Sequence, residues 1–212
     1  MKLLRLAFLA IAIGAVACAP RLAPLTGAPV PARIPRAELR PGHWKIVFNW
    51  VLNDQLMSGR GDGVARIASP DSVRLDFFLA GGVGAGAAVL IGNDVRTPGS
   101  DMVRRIVPGA PLLWAALGRA AVPQASDTVA RLDGSTLRLD LGRPTAWRLT
   151  FNGDTLVRLE RVNDGRVAEW VVRRDSAHIS YRQEGARRSL DLVVTRVDSV
   201  SEFDASIWSL PR

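Results

Sequence analysis

Trp44-Lys45-Ile46-Val47-Phe48-Asn49-Trp50-Val51-Leu52-Asn53 reads with a period of two. Trp44, Ile46, Phe48, Trp50 and Leu52 fall on one side, while Lys45, Asn49 and Asn53 fall on the other. Successive side chains of a strand point to opposite faces, so this pattern predicts a half-buried strand. The alternation recurs downstream. Val73, Leu75, Phe77 and Leu79 oppose Arg74 and Asp76, and Leu137, Leu139 and Leu141 oppose Arg138 and Asp140. Trp147, Leu149 and Phe151 oppose Arg148 and Thr150, whereas Ala168, Trp170 and Val172 are expected inward, against Glu169 and Arg173. Ala177, Ile179 and Tyr181 oppose His178 and Arg182, and Leu190, Leu192 and Val194 oppose Asp191 and Thr195.

Tight-turn chemistry separates these runs. Asp133-Gly134, Asn152-Gly153-Asp154, Asn163-Asp164-Gly165 and Glu184-Gly185 suit hairpin connections, and Ser69-Pro70-Asp71 is a further turn. With shorter runs at 63–68, 87–92, 127–132 and 155–162, the chain holds about eleven strands, nearly all joined as neighbours. Such connections make antiparallel meanders. One apolar and one polar face per strand predicts a mainly β fold: a single curved antiparallel sheet with a wet outside.

The apolar side of such a sheet needs cover. The strand rhythm is interrupted only from about Val95 to Ser126. Ser100 and Asp101 mark a helix start, Met102 to Val107 follow, and Pro108-Gly109 ends the piece. Pro111 suits a first helical position, and Gly118 terminates Leu112-Leu113-Trp114-Ala115-Ala116-Leu117. This second helix carries no polar residue, so it is buried or faces something apolar. It is either a plug packed into the sheet or a lid that opens for a ligand.

At the amino end, Lys2 and Arg5 precede twelve apolar or glycine residues, Leu6 to Ala17, and then the only cysteine, Cys18. Twelve helical residues cover about 18 Å, short of the roughly 30 Å hydrocarbon core. Residues 1–17 therefore read as a signal peptide rather than a membrane span. The ending Ala15-Val16-Ala17-Cys18 resembles a bacterial lipobox, which implies that Cys18 carries the lipid, palmitate included, and becomes the mature amino terminus. Ala19 rather than Asp beside it implies, by the same resemblance, sorting to the outer membrane. Residues 18–43 carry Pro20, Pro24, Pro29, Pro31, Pro35 and Pro41, and are expected to be a tether. In polyproline II geometry the 23 residues from Ala19 to Pro41 reach about 70 Å. One helical turn, Arg36 to Arg40, is conceivable within them. The net charge of +8 comes almost wholly from arginine. The arginines are scattered along strands beside acids, and export argues against nucleic acid as a partner.

The layout of lipoprotein signal, tether, four strands, central helices and long meander resembles the LolA/LolB-like lipoprotein-sorting and carrier proteins. Gly63-Val64-Ala65-Arg66-Ile67-Ala68-Ser69-Pro70-Asp71-Ser72-Val73-Arg74-Leu75-Asp76 looks like their second hairpin. Phe203-Asp204-Ala205-Ser206-Ile207-Trp208-Ser209-Leu210-Pro211 looks like the close of related lipoproteins. The resemblance covers residues 44–212 and implies an unclosed β half-barrel whose short helices cover an apolar concave face that accepts acyl chains. It also implies a lipid-anchored monomer at the periplasmic side of the outer membrane. The expected ligand-facing set is Phe48, Trp50, Leu75, Phe77, Trp147, Leu149, Trp170 and Tyr181, opposite Leu113 and Trp114 of the apolar helix.

Catalytic and metal chemistry find little material. His43 and His178 lack a second histidine or Glu at ligand spacing. No Gly-x-Ser-x-Gly elbow is present, and Gly82-Val83-Gly84-Ala85-Gly86 precedes a strand-like run rather than a helix. No enzyme activity, metal or cofactor is expected. The function expected is binding or transfer of acyl chains of lipids or lipoproteins. The alternative is a structural or assembly lipoprotein acting through surface contacts, with no ligand cavity. At the carboxyl end, Asp204 is expected to cap a turn, Ala205 to Trp208, that packs Phe203, Ile207 and Trp208 onto an open end of the sheet.

Stable anchoring takes more than one acyl chain. Cys18→Ala is therefore expected to leave uncleaved precursor or soluble protein, checked by membrane fractionation after a salt wash.

Overall fold

The computed structural model describes residues 20–82, 84–99 and 101–209. The segment expected to be a signal peptide, residues 1–17, and Cys18 lie outside them. The described chain forms β1 (Ala28–Val30), β2 (His43–Asn53), β3 (Ser58–Ala68), β4 (Ser72–Leu79), β5 (Gly84–Ile91) and β6 (Asp94–Arg96). Two helices follow, α1 (Asp101–Ile106) and α2 (Ala110–Ala116). Then come β7 (Thr128–Asp133), β8 (Thr136–Leu141), β9 (Trp147–Asn152), β10 (Thr155–Asn163), β11 (Arg166–Arg173), β12 (His178–Gln183) and β13 (Arg188–Val200). A 3-10 turn, Ala205–Trp208, closes the chain.

All these strands belong to one sheet of thirteen, ordered β1-β7-β8-β9-β10-β11-β12-β13-β2-β3-β4-β5-β6. Every described pair is antiparallel, and β1 and β6 end the sheet unpaired with each other. The sheet is single and antiparallel, as the alternation predicts, and open, as the family resemblance implies. Two meanders, β2–β6 and β7–β13, are sewn together where β13 pairs with β2 from Ser189↔Asn53 to Val200↔His43. The two strands beyond the expected eleven are the short edges β1 and β6, too brief to show a period. Strand β3 also begins earlier than expected, at Ser58, and runs through Gly59, Gly61 and Gly63. Glycine weakens a strand unless another group fills its space. Here the Phe48 ring lies 2.2 Å from where a Gly63 Cβ would sit, and Trp50 lies 3.4 Å from the Gly59 position.

The proline-rich segment is not a free tether, which corrects that expectation. The Leu22 N–H donates to the Gly165 carbonyl at 2.9 Å, and the Val167 N–H donates to the Pro20 carbonyl at 3.0 Å. Strand β1 then pairs with β7, Ala28↔Leu132 to Val30↔Ala130. Ala37 and Leu39 are buried, and the Ala120 N–H donates to the Ala37 carbonyl at 2.9 Å. No helical turn forms at 36–40; Arg40 instead lies over the Trp44 ring at 4.1 Å. Proline removes N–H donors but leaves carbonyls and fixes an extended backbone, which suits a strap and an edge strand. Under this strap lies a buried ion pair. Arg148 donates to both Asp140 carboxylate oxygens at 2.6 and 2.7 Å and to the Ala23 carbonyl at 2.7 Å.

The carboxyl-terminal turn forms where expected, with the Asp204 carboxylate accepting the Ser206 N–H at 2.8 Å. Its seat differs. Arg74 on the polar face of β4 donates to the Ile207 carbonyl at 2.8 Å, and Phe203 meets His43 edge-on at 5.7 Å. The turn thus rests on the outside of the sheet rather than on an open edge, and Phe203, Ile207 and Trp208 stay half-buried. Truncation after Ser201 is accordingly expected to cost about 1–3 kcal/mol, less than two fully buried side chains would, as read by urea denaturation.

Candidate functional site: an apolar cavity under the helices

Alternation puts the apolar residues of the longer strands on one concave face, and the two helices lie on it. Helix α1 packs against β5, and α2 against β10, β11 and β12. The cover is uneven. On the side of β8 to β10 the core is filled: Leu139, Leu149, Phe151 and Leu159 are fully buried. On the side of β2 to β4 and β11 to β13 a cavity remains. It holds about 840 Å³ of space free of protein atoms, mouth included, of which about 110 Å³ can take the centre of a water-sized sphere.

Its walls are Ile46, Phe48, Ala65, Leu75 and Phe77 from the first meander and Val171, Ile179, Leu190, Leu192 and Val194 from the second. The lid side is Ile106, Val107, Pro108, Leu113, Ala116 and Leu117. Polar lining comes from Arg173, Ser176 and Tyr181. The apolar helix is therefore both plug and cover: Trp114 is fully buried while Leu113, Ala116 and Leu117 look into the cavity.

Of the ligand-facing residues expected from the sequence, Phe48, Leu75, Phe77, Leu113 and Tyr181 line this space. Trp50 does not: it is 1% exposed, and its Nε1–H donates to the Asp62 carbonyl at 2.9 Å and the Phe78 carbonyl at 3.2 Å. Trp114 is turned the other way, its Nε1–H donating to the Gly92 carbonyl at 2.7 Å with Arg119 stacked 4.6 Å from its ring. Leu149 belongs to the filled half, and Trp147 packs at the margin of the core. Buried Trp needs a partner for its N–H, and the backbone carbonyls that satisfy Trp50 and Trp114 lie away from the cavity.

Trp170 is a correction of register. Strand β11 buries Val167, Glu169 and Val171, so Trp170 points outward, where Arg158 lies 5.4 Å over its ring and pairs with Glu160 at 2.7 Å. The segment Arg166-Val167-Ala168-Glu169-Trp170-Val171-Val172 is apolar at both parities, so alternation alone is ambiguous. Cross-strand pairing decides it, because Val171 sits opposite both Leu159 and Tyr181. The inverted register carries Glu169 and Arg173 inward. Glu169 is 8% exposed; it forms an ion pair with Arg161 and accepts the Tyr181 hydroxyl proton at 2.7 Å. Burial, with the Glu169 hydrogen bond and charge added, pushes the Tyr181 phenol above the ordinary tyrosine range, so it stays a neutral donor.

A second inner ion pair fastens α1. Arg188 donates to Asp54 at 2.6 Å, to the Arg105 carbonyl at 2.5 Å and to Gln183 at 3.0 Å. Burial opposes the Asp54 charge, but the Arg188 hydrogen bond and the Leu56 N–H outweigh it and hold the carboxyl below its usual range. Sequence reasoning missed these inward charges because it placed acids and arginines on the wet face by default.

No protein-family profile and no curated protein matches the sequence. Solved structures match its fold. A LolA superfamily protein from Nitrosomonas europaea superposes with a TM-score of 0.51 at 11% identity, covering 82% of this chain and 93% of that one. A domain named for outer membrane lipoprotein sorting, from Vibrio parahaemolyticus, gives 0.44 at 8% identity over 79% and 89%. A DUF1329 family protein from Desulfovibrio piger gives 0.45 at 7% identity over 80% and 90%. The fold is thus LolA-like, shared with the Nitrosomonas europaea structure over most of both chains.

The space above Gly63 is already taken by Phe48. Gly63→Val is expected to push that ring into the cavity and cost about 1–3 kcal/mol by overpacking, measured as a lower urea midpoint with an unchanged slope.

Proposed function

We propose that this chain is a lipid-anchored envelope protein that binds, and passes on, acyl chains of lipids or lipoproteins. The observation that carries the reading is the cavity, walled by aliphatic and phenylalanine side chains and roofed by a helix without a polar residue. The LolA-like fold and the lipobox resemblance support it. Cys18 would hold the protein to the periplasmic face of the outer membrane, with the domain working as a monomer. A binding role rather than catalysis is supported by the inner-face carboxylates Asp54 and Glu169, each committed to an arginine partner.

Energetics are adequate. A sixteen-carbon chain leaving water gains on the order of 10 kcal/mol at about 0.8 per CH₂. Immobilisation offsets part of it, and micromolar binding, about −8 kcal/mol, is within reach. The free space in the present closed form is small for a whole chain. Taking one in requires α2 to lift from the sheet, and α2 is bounded by Gly109 and by Gly118, whose φ is +95°. The lid reading therefore accounts for the cavity better than a permanent plug does.

Two substitutions test this with a neutral fluorescent acyl-chain probe. Leu113→Asp places a charge in the apolar roof and should abolish saturable binding while the β-sheet circular dichroism is retained. Ala116→Trp should weaken binding at least tenfold by filling the space without adding charge. Absence of saturable binding to the wild-type chain, stripped of lipid, would transfer the case to the structural-lipoprotein alternative.

A further inference from the structure

Arginines on the inner face divide into two kinds. Arg161 has Glu169, and Arg188 has Asp54, so each buried or half-buried charge meets a carboxylate of the chain. Arg173 has none among the described residues. It is the last residue of β11, it lines the cavity, and it is half-exposed, which places it at the mouth. Its Nε–H is completely buried with no acceptor. The guanidinium lies against Gly118 at the end of α2, with Nη1 2.0 Å from where a Cβ of residue 118 would be. Ser176, a second hydrogen-bonding group in the cavity wall, stands three residues from Arg173.

A charge taken out of water without a partner is costly, and proteins seldom retain one without use. Burial lowers the pKa of Arg173 from the ordinary arginine value, in keeping with a cation that lacks compensation. The rest of the cavity is aliphatic or aromatic apart from Ser176 and the Tyr181 hydroxyl, which is spent on Glu169. An apolar chamber with an uncompensated guanidinium at its mouth has the polarity of an anionic amphiphile in reverse. Planar guanidinium recognises carboxylate and phosphate oxygens alike through paired N–H donors.

We propose that Arg173, assisted by Ser176, receives the anionic head of an amphiphile whose acyl tail occupies the cavity. This rests on the acyl-chain reading above and adds the head-group charge. A carboxylate, as in a free fatty acid, and a phosphate monoester, as in a lipid head group, share the required chemistry. The small free volume favours one chain over two.

The test uses the full chain, stripped of lipid in a non-ionic detergent and loaded with a neutral pyrenyl alcohol. Palmitate, hexadecyl phosphate and hexadecanol are compared as competitors, since they share a tail and differ in the head. At least one of the two anions should displace the probe tenfold or more better than hexadecanol. The anion that does so identifies the head as carboxylate or phosphate, and either result supports the proposal. Arg173→Gln should bring anion and alcohol within threefold of each other while leaving hexadecanol itself within threefold of wild type. Arg173→Lys should keep most of the preference. Equal displacement by all three competitors in the wild type would overturn the head-group proposal and leave the acyl-chain reading standing. Displacement by none would overturn both. A preference that survives in Arg173→Gln, with only a lower melting temperature, would also overturn it and make Arg173 a latch for the end of α2.

Discussion

A sheet whose strands are apolar on one side must hide that side, and a sheet this wide cannot do so by itself. Closing into a barrel would remove the edges as well as the exposed face. The present chain stays open, with β1 and β6 as ends, and must bring cover from elsewhere. The cover is thirteen helical residues in two pieces, α1 and α2, against a concave surface contributed by most of the strands. So short a cover can fill one half of the concavity or roof the other. It packs against β5 and β10 to β12, and roofs a hollow between β2 to β4 and β11 to β13. The cavity follows from that shortage of covering mass.

Charge follows the same geometry. On the convex face the arginines pair across or along strands, as Arg66 and Arg74 do with Asp76, Arg182 with Asp191 and Arg158 with Glu160. These pairs are partly wet, and each contributes little to stability. Three pairs lie deeper, Arg161–Glu169 on the inner face among them. Arg148–Asp140 is sealed beneath the proline-rich strap, and Arg188–Asp54 ties the end of α1 to the hairpin between β2 and β3. Breaking one member of such a pair is costly because it strands the other. Arg173 stands apart from them, since it is only half-buried, yet its Nε–H is buried without an acceptor and no carboxylate among the described residues meets it.

The strap shows how composition can mislead about disorder. Six prolines predict extended chain, and extended chain is what forms. Whether an extended segment floats or docks depends on whether a surface offers partners. The β10–β11 turn and the free edge of β7 offer hydrogen bonds to Pro20, Leu22 and Ala28–Val30. Docking covers an edge that would otherwise invite another chain. Those partners lie over a hundred residues away in the sequence, beyond the reach of any local pattern.

By itself the sequence determined the local states: strands from a period of two, turns from Gly, Asn and Pro, two short helices from Asp101, Pro111 and Gly118. Each depends on steric rules acting over a few residues, and together they sufficed for a single antiparallel sheet with an apolar inner face. Phe48, Leu75, Phe77, Leu113 and Tyr181 were legible as cavity residues because their parity or helical position is unambiguous. Tertiary structure alone decided the rest. The parity of β11 was set by its neighbours, since both its faces are apolar, and with it came the outward turn of Trp170 and the inward placement of Glu169 and Arg173. The glycines of β3 became a strand because the Trp50 and Phe48 rings of β2 fill the positions at Gly59 and Gly63, and the β4 backbone lies close at Gly61. Which half of the concavity stays hollow was decided by where two short helices come to rest, a balance of packing across residues distant in the chain.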